Sequence, residues 1–192
     1  MDTRDRIVTA ACDVLGDARA GGITIALVAK RAGVSSALVH YHFSTKRRLL
    51  LAVAEAMAAR RTEGRAAAVE ESSGLSGLDA LWAALVSGPS GVAERVWLDL
   101  VLVSRSDAAV RAALAAERER ERARLARPLS RLLNTLGSRP VLPPEDVAAT
   151  VGTFLDGVGS ALAAGAPRDD VRASYDAFWL ALVALGQTAP GR

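Results

Sequence analysis

Residues 28 to 50 read VAKRAGVSSALVHYHFSTKRRLL and gather the groups best suited to chemistry: the chain's only two histidines, His40 and His42, with Tyr41 between them, the hydroxyls of Ser35 and Ser36, and the successive cations Lys46, Arg47 and Arg48. A histidine pair first suggests a metal. Residues two apart on a helix, however, differ by about 200° around its axis, so these two cannot share an ion unaided, and the chain has no third histidine. Catalysis fares no better. After Phe43 there is neither His nor Cys, and the carboxylates fall mostly in loops or in a Glu/Arg tract, which leaves no nucleophile with its base and no paired acids. No enzyme, metal or cofactor is expected. Hydroxyl, imidazole, phenol and ammonium groups with no acid among them suit phosphate oxygens and the edges of bases.

Short helices must present these groups. Apolar residues at Ile7, Ala10, Ala11, Val14 and Leu15 predict an amphipathic first helix ending near Gly16, with Cys12 inward as a core thiol and a loop at Gly21 and Gly22. Thr24 is a good N-cap for a second helix through about Ala32 with Ile25, Val28 and Ala29 inward, and Gly33 suits the left-handed residue beyond its end. Ser35 can cap a third helix at once, with Val34 packing on Val39 as a hydrophobic staple. Two short helices joined by a tight glycine turn make a helix-turn-helix. With Val39 and Phe43 inward, Ala37, Leu38 and Tyr41 lie opposite and Ser36, His40 and His42 flank them, a small-residue face able to enter a major groove. Thr45 can cap a fourth helix from Lys46 to roughly Glu71, its inner line Leu49, Leu50, Val53, Ala56 and Met57.

The stretch TIALVAKRAGVSSALVHYHFSTKRRLL, Thr24 to Leu50, resembles without a gap the DNA-binding segment of the TetR/AcrR family of bacterial transcriptional regulators, whose pattern reads T-x-x-x-I-A-x-x-A-G-V-S-x-x-x-L-Y-x-H-F-x-[ST]-K-x-x-L-L. The resemblance implies that Thr24, Ser35, Tyr41 and Lys46 contact phosphates while Ser36, Ala37, Leu38 and His42 face bases. Two of the departures from the pattern lie on the third helix. Val39 replaces Leu, a mild core change, and His40 replaces a phosphate-binding Tyr, which either removes that contact or makes it depend on pH. The resemblance also implies a three-helix DNA-binding domain at residues 1–46, a helical effector-binding and dimerisation domain at 47–192, and a homodimer, usually a repressor, on a double-stranded pseudo-palindromic operator. The rival is a helical interaction protein that keeps the helix-turn-helix without specific DNA binding or effector response.

Composition agrees with an all-α fold. The 192 residues are 51% hydrophobic but only 4% aromatic, so the core must be built mostly from Ala, Leu and Val. The first 50 residues hold eight Lys and Arg against four Asp, whereas the remainder nets −1, which confines the positive excess to the segment expected to meet an anion. One cysteine excludes an internal disulfide, the start lacks an apolar stretch followed by a cleavage site, and no apolar run reaches the ~18 residues of a membrane span; a cytoplasmic protein without membrane contact is expected.

Beyond the fourth helix, ESSGLSG at 71–77 reads as an interruption, and Leu78, Leu81, Trp82 and Leu85 form a helical stripe ended by SGPSG. Residues 92–104 are apolar nearly all round. A helix from about Asp107 carries ERERERAR at 117–124, whose alternating charges read as solvated surface joined by i, i+3 pairs, and Pro128 is expected to kink or restart it. After a loop at 137–146, two helices close the chain. Their small residues suit close approach of two subunits, with Gly157, Ala161, Ala164, Tyr175, Phe178 and Leu182 as interface candidates. A small-molecule effector pocket, implied by the resemblance, has Trp82, Trp97, Asp99, Phe154, Asp156 and Trp179 as candidates for a mostly apolar ligand. The stretch VWLDLVLVSRSDAAVRAAL loosely resembles part of the choline-responsive BetI branch, a likeness that assigns no ligand.

Overall fold

The computed structural model describes residues 2–17 and 23–186, with the backbone alone at 88–90; the loop expected at Gly21 and Gly22 lies outside the described residues. Among the described residues there are nine helices and no strand: α1 (Thr3–Asp17), α2 (Ile25–Ala32), α3 (Ser36–Phe43), α4 (Lys46–Glu70), α5 (Gly74–Val86), α6 (Gly88–Ser104), α7 (Ala108–Thr135), α8 (Pro144–Ala163) and α9 (Arg168–Gly186). None of them is long and apolar enough to cross a membrane.

The described residues pack as two compact units, one drawn from 1–60 and 92–117, the other from 61–91 and 118–192. In the first, Ile7, Val14, Val28, Val39 and Phe43 of α1 to α3 share one core with Leu49, Val53 and Met57 of α4 and with Val96, Trp97, Leu100, Val110 and Leu114. Cys12 belongs to that core, and burial, the largest influence on it, pushes its thiol up to about 12, so it stays protonated at neutral pH. In the second, Leu81, Trp82 and Leu85 of α5 pack with Leu125, Leu129 and Leu133 of α7, Val151 and Leu155 of α8, and Tyr175 and Trp179 of α9.

Helix limits follow local chemistry. Thr24, Ser35 and Thr45 each accept a backbone amide three residues on, from Leu27 (3.2 Å), Leu38 (3.1 Å) and Arg48 (3.2 Å). Gly33 takes the left-handed conformation at φ 66°, and its N–H closes the carbonyl end of α2. Two expectations need correction. α5 begins at Gly74, inside the stretch expected to be an interruption, because Thr135 Oγ1 accepts the Gly74 amide at 2.9 Å and anchors the first turn. α7 does not restart at Pro128 but runs through it. The lost amide costs about 3 kcal/mol; the flanking Leu125, Ala126, Leu129, Leu132 and Leu133 are all buried, and each fully buried leucine returns about 1.5–3 kcal/mol.

Candidate nucleic-acid interface

The chain turns between α2 and α3 in three residues. Val34 N–H reaches the Ala29 carbonyl at 3.0 Å around Gly33, and the Arg6 guanidinium donates to the Ala32 carbonyl at 2.8 Å, a cation at the negative end of α2. The angle between the two helices is thereby held from α1. Val39 is 0% and Phe43 3% exposed, and the Arg4 guanidinium stands 5.4 Å over the Phe43 ring.

With those two residues inward, α3 presents a face without an acid. Ser36, Ala37, His40 and Tyr41 are exposed, Tyr41 at 81%. Leu38 and His42, also expected on this face, are half-buried; the His42 ring meets Tyr41 edge-on at 5.4 Å and tilts against Phe43 at 6.4 Å. Beside this face stand Thr24, Ser35 and Lys46, all exposed. Thr24 and Ser35 accept cap hydrogen bonds through their oxygens, which leaves each hydroxyl proton to donate elsewhere, for example to a phosphate oxygen. The corner into α4 is made by Ser44 at φ 52°, a conformation costly for a non-glycine residue, with its N–H on the His40 carbonyl at 2.7 Å. The face therefore has what a groove-reading helix needs: small side chains, donors at its margins and a rigid back.

The sequence model for bacterial regulatory proteins of the tetR family matches residues 7–53, spanning α1 to α3 and the start of α4. Residues 7–53 are thus a helix-turn-helix DNA-binding domain of the tetR family. Solved structures share its fold along almost its whole length. One described as a TetR-family transcriptional regulator from Rhodococcus sp. is 21% identical, with 94% of this chain and 98% of that chain covered and a TM-score of 0.76. Another TetR-family regulator, from Mesorhizobium loti, is 19% identical, covers 95% and 96%, and has a TM-score of 0.74. A transcriptional regulator from Saccharomonospora viridis, solved in complex with choline, is 20% identical, covers 91% and 94%, and has a TM-score of 0.68. No curated protein matches the sequence.

In the rest of the chain the structure sorts the candidate effector residues. Trp97 and Asp99 lie on α6 in the first unit, Trp97 1% exposed and Asp99 half-buried, its carboxyl pushed up by burial. Trp82, Phe154 and Trp179 gather in the second unit around Tyr175, whose ring centre is 5.3 Å from Trp82, 6.3 Å from Phe154 and 6.0 Å from Trp179. Trp179 also lines a groove of about 520 Å³ floored by Leu78, Leu136 and Val183 and rimmed by Asp79, Arg172 and Asp176. Asp156 has another task. It takes the guanidiniums of Arg61, Arg65 (3.4 Å) and Arg118 (2.7 Å), while Glu121 takes Arg65 (2.7 Å) and Arg61 (3.4 Å). The ERERERAR tract is accordingly not all surface. Glu117 and Glu121 are each 5% exposed; Glu121 turns to Arg61 and Arg65 and Arg124 to Glu63 and Glu70, while Glu119 and Arg122 make an i, i+3 pair at 3.7 Å.

The dimer candidates divide similarly. Gly157 and Ala164 are exposed and Ala161, Phe178 and Leu182 half-buried. Tyr175 is 0% exposed and donates its hydroxyl to the Leu78 carbonyl at 2.8 Å, so it belongs to the protomer's core and has no surface to offer a partner. Leu180 and Leu185 of α9, not singled out in the sequence, are 72% and 69% exposed, and Phe154 stacks on Phe178 at 3.7 Å.

Proposed function

We propose that the protein is a homodimeric cytoplasmic repressor that binds a pseudo-palindromic operator and is released by a small-molecule effector. The carrying observation is the acid-free face of α3, Ser36 to His42, backed by buried Val39 and Phe43 and flanked by Thr24, Ser35 and Lys46. Residues 1–46 carry the DNA contacts, and 47–192 the effector and dimer functions. One such helix covers too little duplex for tight specific binding, so two protomers read half-sites about one turn (~34 Å) apart.

The exposed Leu180 and Leu185, with Gly157 and Ala164 open on α8, support pairing through α8 and α9. A Cβ at Gly157 would meet nothing within 4 Å of its own protomer. Gly157→Leu should therefore leave the monomer fold intact, since leucine favours helix over glycine by about 1 kcal/mol, yet split the dimer. Sedimentation measures this, and an intact dimer would move the interface elsewhere.

The aromatic cluster of Trp82, Phe154 and Trp179 supports a largely apolar or cationic effector, and the neighbour of similar fold solved in complex with choline is consistent with the cationic choice. An effector that prefers the conformation with displaced recognition helices weakens DNA binding by the factor that DNA weakens its own.

Mobility shifts on the chain's own upstream DNA at rising salt test the DNA function. Lys46→Ala should weaken all duplexes alike and flatten the salt dependence, log K against log salt, by about 0.9 per protomer. Ser36→Ala or His42→Ala should instead change which operator variants bind. Identical effects from all three would undo the assignment, and uniform weak binding to every sequence would favour an interaction protein that only retains the helix-turn-helix.

A further inference from the structure

Three consecutive cations open α4, at the helix end where the macrodipole disfavours positive charge. Among the described residues Lys46 and Arg48 have no acidic partner, but Arg47 does. Its Nε lies 3.0 Å from Asp107 Oδ2 and donates to Oδ1 at 3.2 Å. Asp107 is itself fixed, since Oδ1 also accepts the Ala109 amide at 2.9 Å and the Val110 amide at 3.2 Å and so caps α7. The corner it stands on is braced as well: Arg111 donates to the Ser104 carbonyl at 3.0 Å and to the Arg105 carbonyl at 3.3 Å. The Val110 amide foremost, then Arg47 and the Ala109 amide, hold the Asp107 carboxyl below the usual carboxylate range, so it is ionised at neutral pH. Asp107 and Arg47 lie in one compact unit with α3.

A fixed, charged acceptor thus holds a side chain that remains 57% exposed and sits next to Lys46. We propose that Asp107 is a latch that keeps Arg47 off the DNA, making Arg47 a phosphate-binding group held in reserve. The latch biases the regulator toward sequence readout, because each phosphate contact adds affinity for every sequence equally. This inference rests on α3 and the start of α4 facing a duplex.

The test is fluorescence anisotropy of the full-length protein with an operator duplex and a scrambled duplex of equal length, over a salt series. Asp107→Asn keeps an oxygen to cap α7 but loses the charge; Asp107→Ser, which caps through its hydroxyl, repeats the test should the first variant fold poorly. Either should steepen the salt dependence by about 0.9 per protomer and tighten scrambled-duplex binding several-fold. Arg47→Gln should leave the slope of the native protein unchanged, yet abolish the gain when combined with Asp107→Asn. A flatter slope for Arg47→Gln alone would show that Arg47 already contacts phosphate and would overturn the latch, as would an unchanged slope in both Asp107 variants. A native chain with no salt-dependent binding to either duplex would overturn the DNA function along with it.

Discussion

Asp156→Ala is expected to destabilise the second unit by about 3–5 kcal/mol, read as a lower urea midpoint of unfolding. Arg61 and Arg65 are each 1% exposed, and removal of the Asp156 carboxylate takes an anionic partner from two guanidiniums that cannot reach water. The size of the effect comes from charge left behind rather than from the strength of the pair that is lost. Exchange of the whole ionic set for apolar residues of similar volume should accordingly cost far less than the single change. A loss below about 1 kcal/mol for Asp156→Ala would mean that water relaxes around the cluster, and the low-dielectric account would fail.

Phe43→Ala should be comparably severe, about 3–5 kcal/mol in the first unit. The ring is 3% exposed at the last turn of α3, packed in the core from one side and covered by Arg4 at 5.4 Å from the other. Truncation leaves a cavity behind the helix that is to meet the groove, so duplex binding should be lost at concentrations that saturate the native protein. Phe43→Leu fills most of that volume and should retain binding. If Phe43→Ala bound operator normally, the rigidity of α3 would not matter to recognition.

The sequence was most legible where structure is set within a few residues. The caps at Thr24, Ser35 and Thr45 and the left-handed Gly33 depend on side chains and amides no more than four positions apart, and all are present as expected. Val39 and Phe43 could be placed inward because one helical period is enough to orient both. The ionic cluster was missed because its members stand on three helices, with Arg61 and Asp156 95 positions apart. A signal existed nonetheless. On α4, Leu49, Val53, Met57, Arg61, Arg65 and Val69 follow one another at intervals of four, and all are buried. On α7, Val110, Leu114, Glu117, Glu121 and Leu125 keep a similar stripe. Charged residues in register with apolar ones mark an interior ion cluster; alternation of sign alone had suggested a surface.

The restart expected at Pro128 fails for a different reason. Its local chemistry opposes a continuous helix, but five buried neighbours, from Leu125 to Leu133, outweigh one missing hydrogen bond. Apolar character along α8 and α9 does not separate a surface from a core: Tyr175 is buried, and its hydroxyl finds the Leu78 carbonyl, 97 positions away.

The core behind α3 is assembled from two stretches of chain, 1–60 and 92–117, with Trp97, Leu100 and Val110 packed among the same residues as Val39 and Phe43. A transplant of operator preference between relatives that cut after the third helix would strand half of an interior on each side of the junction. Chimaeras of this chain have to carry both stretches together.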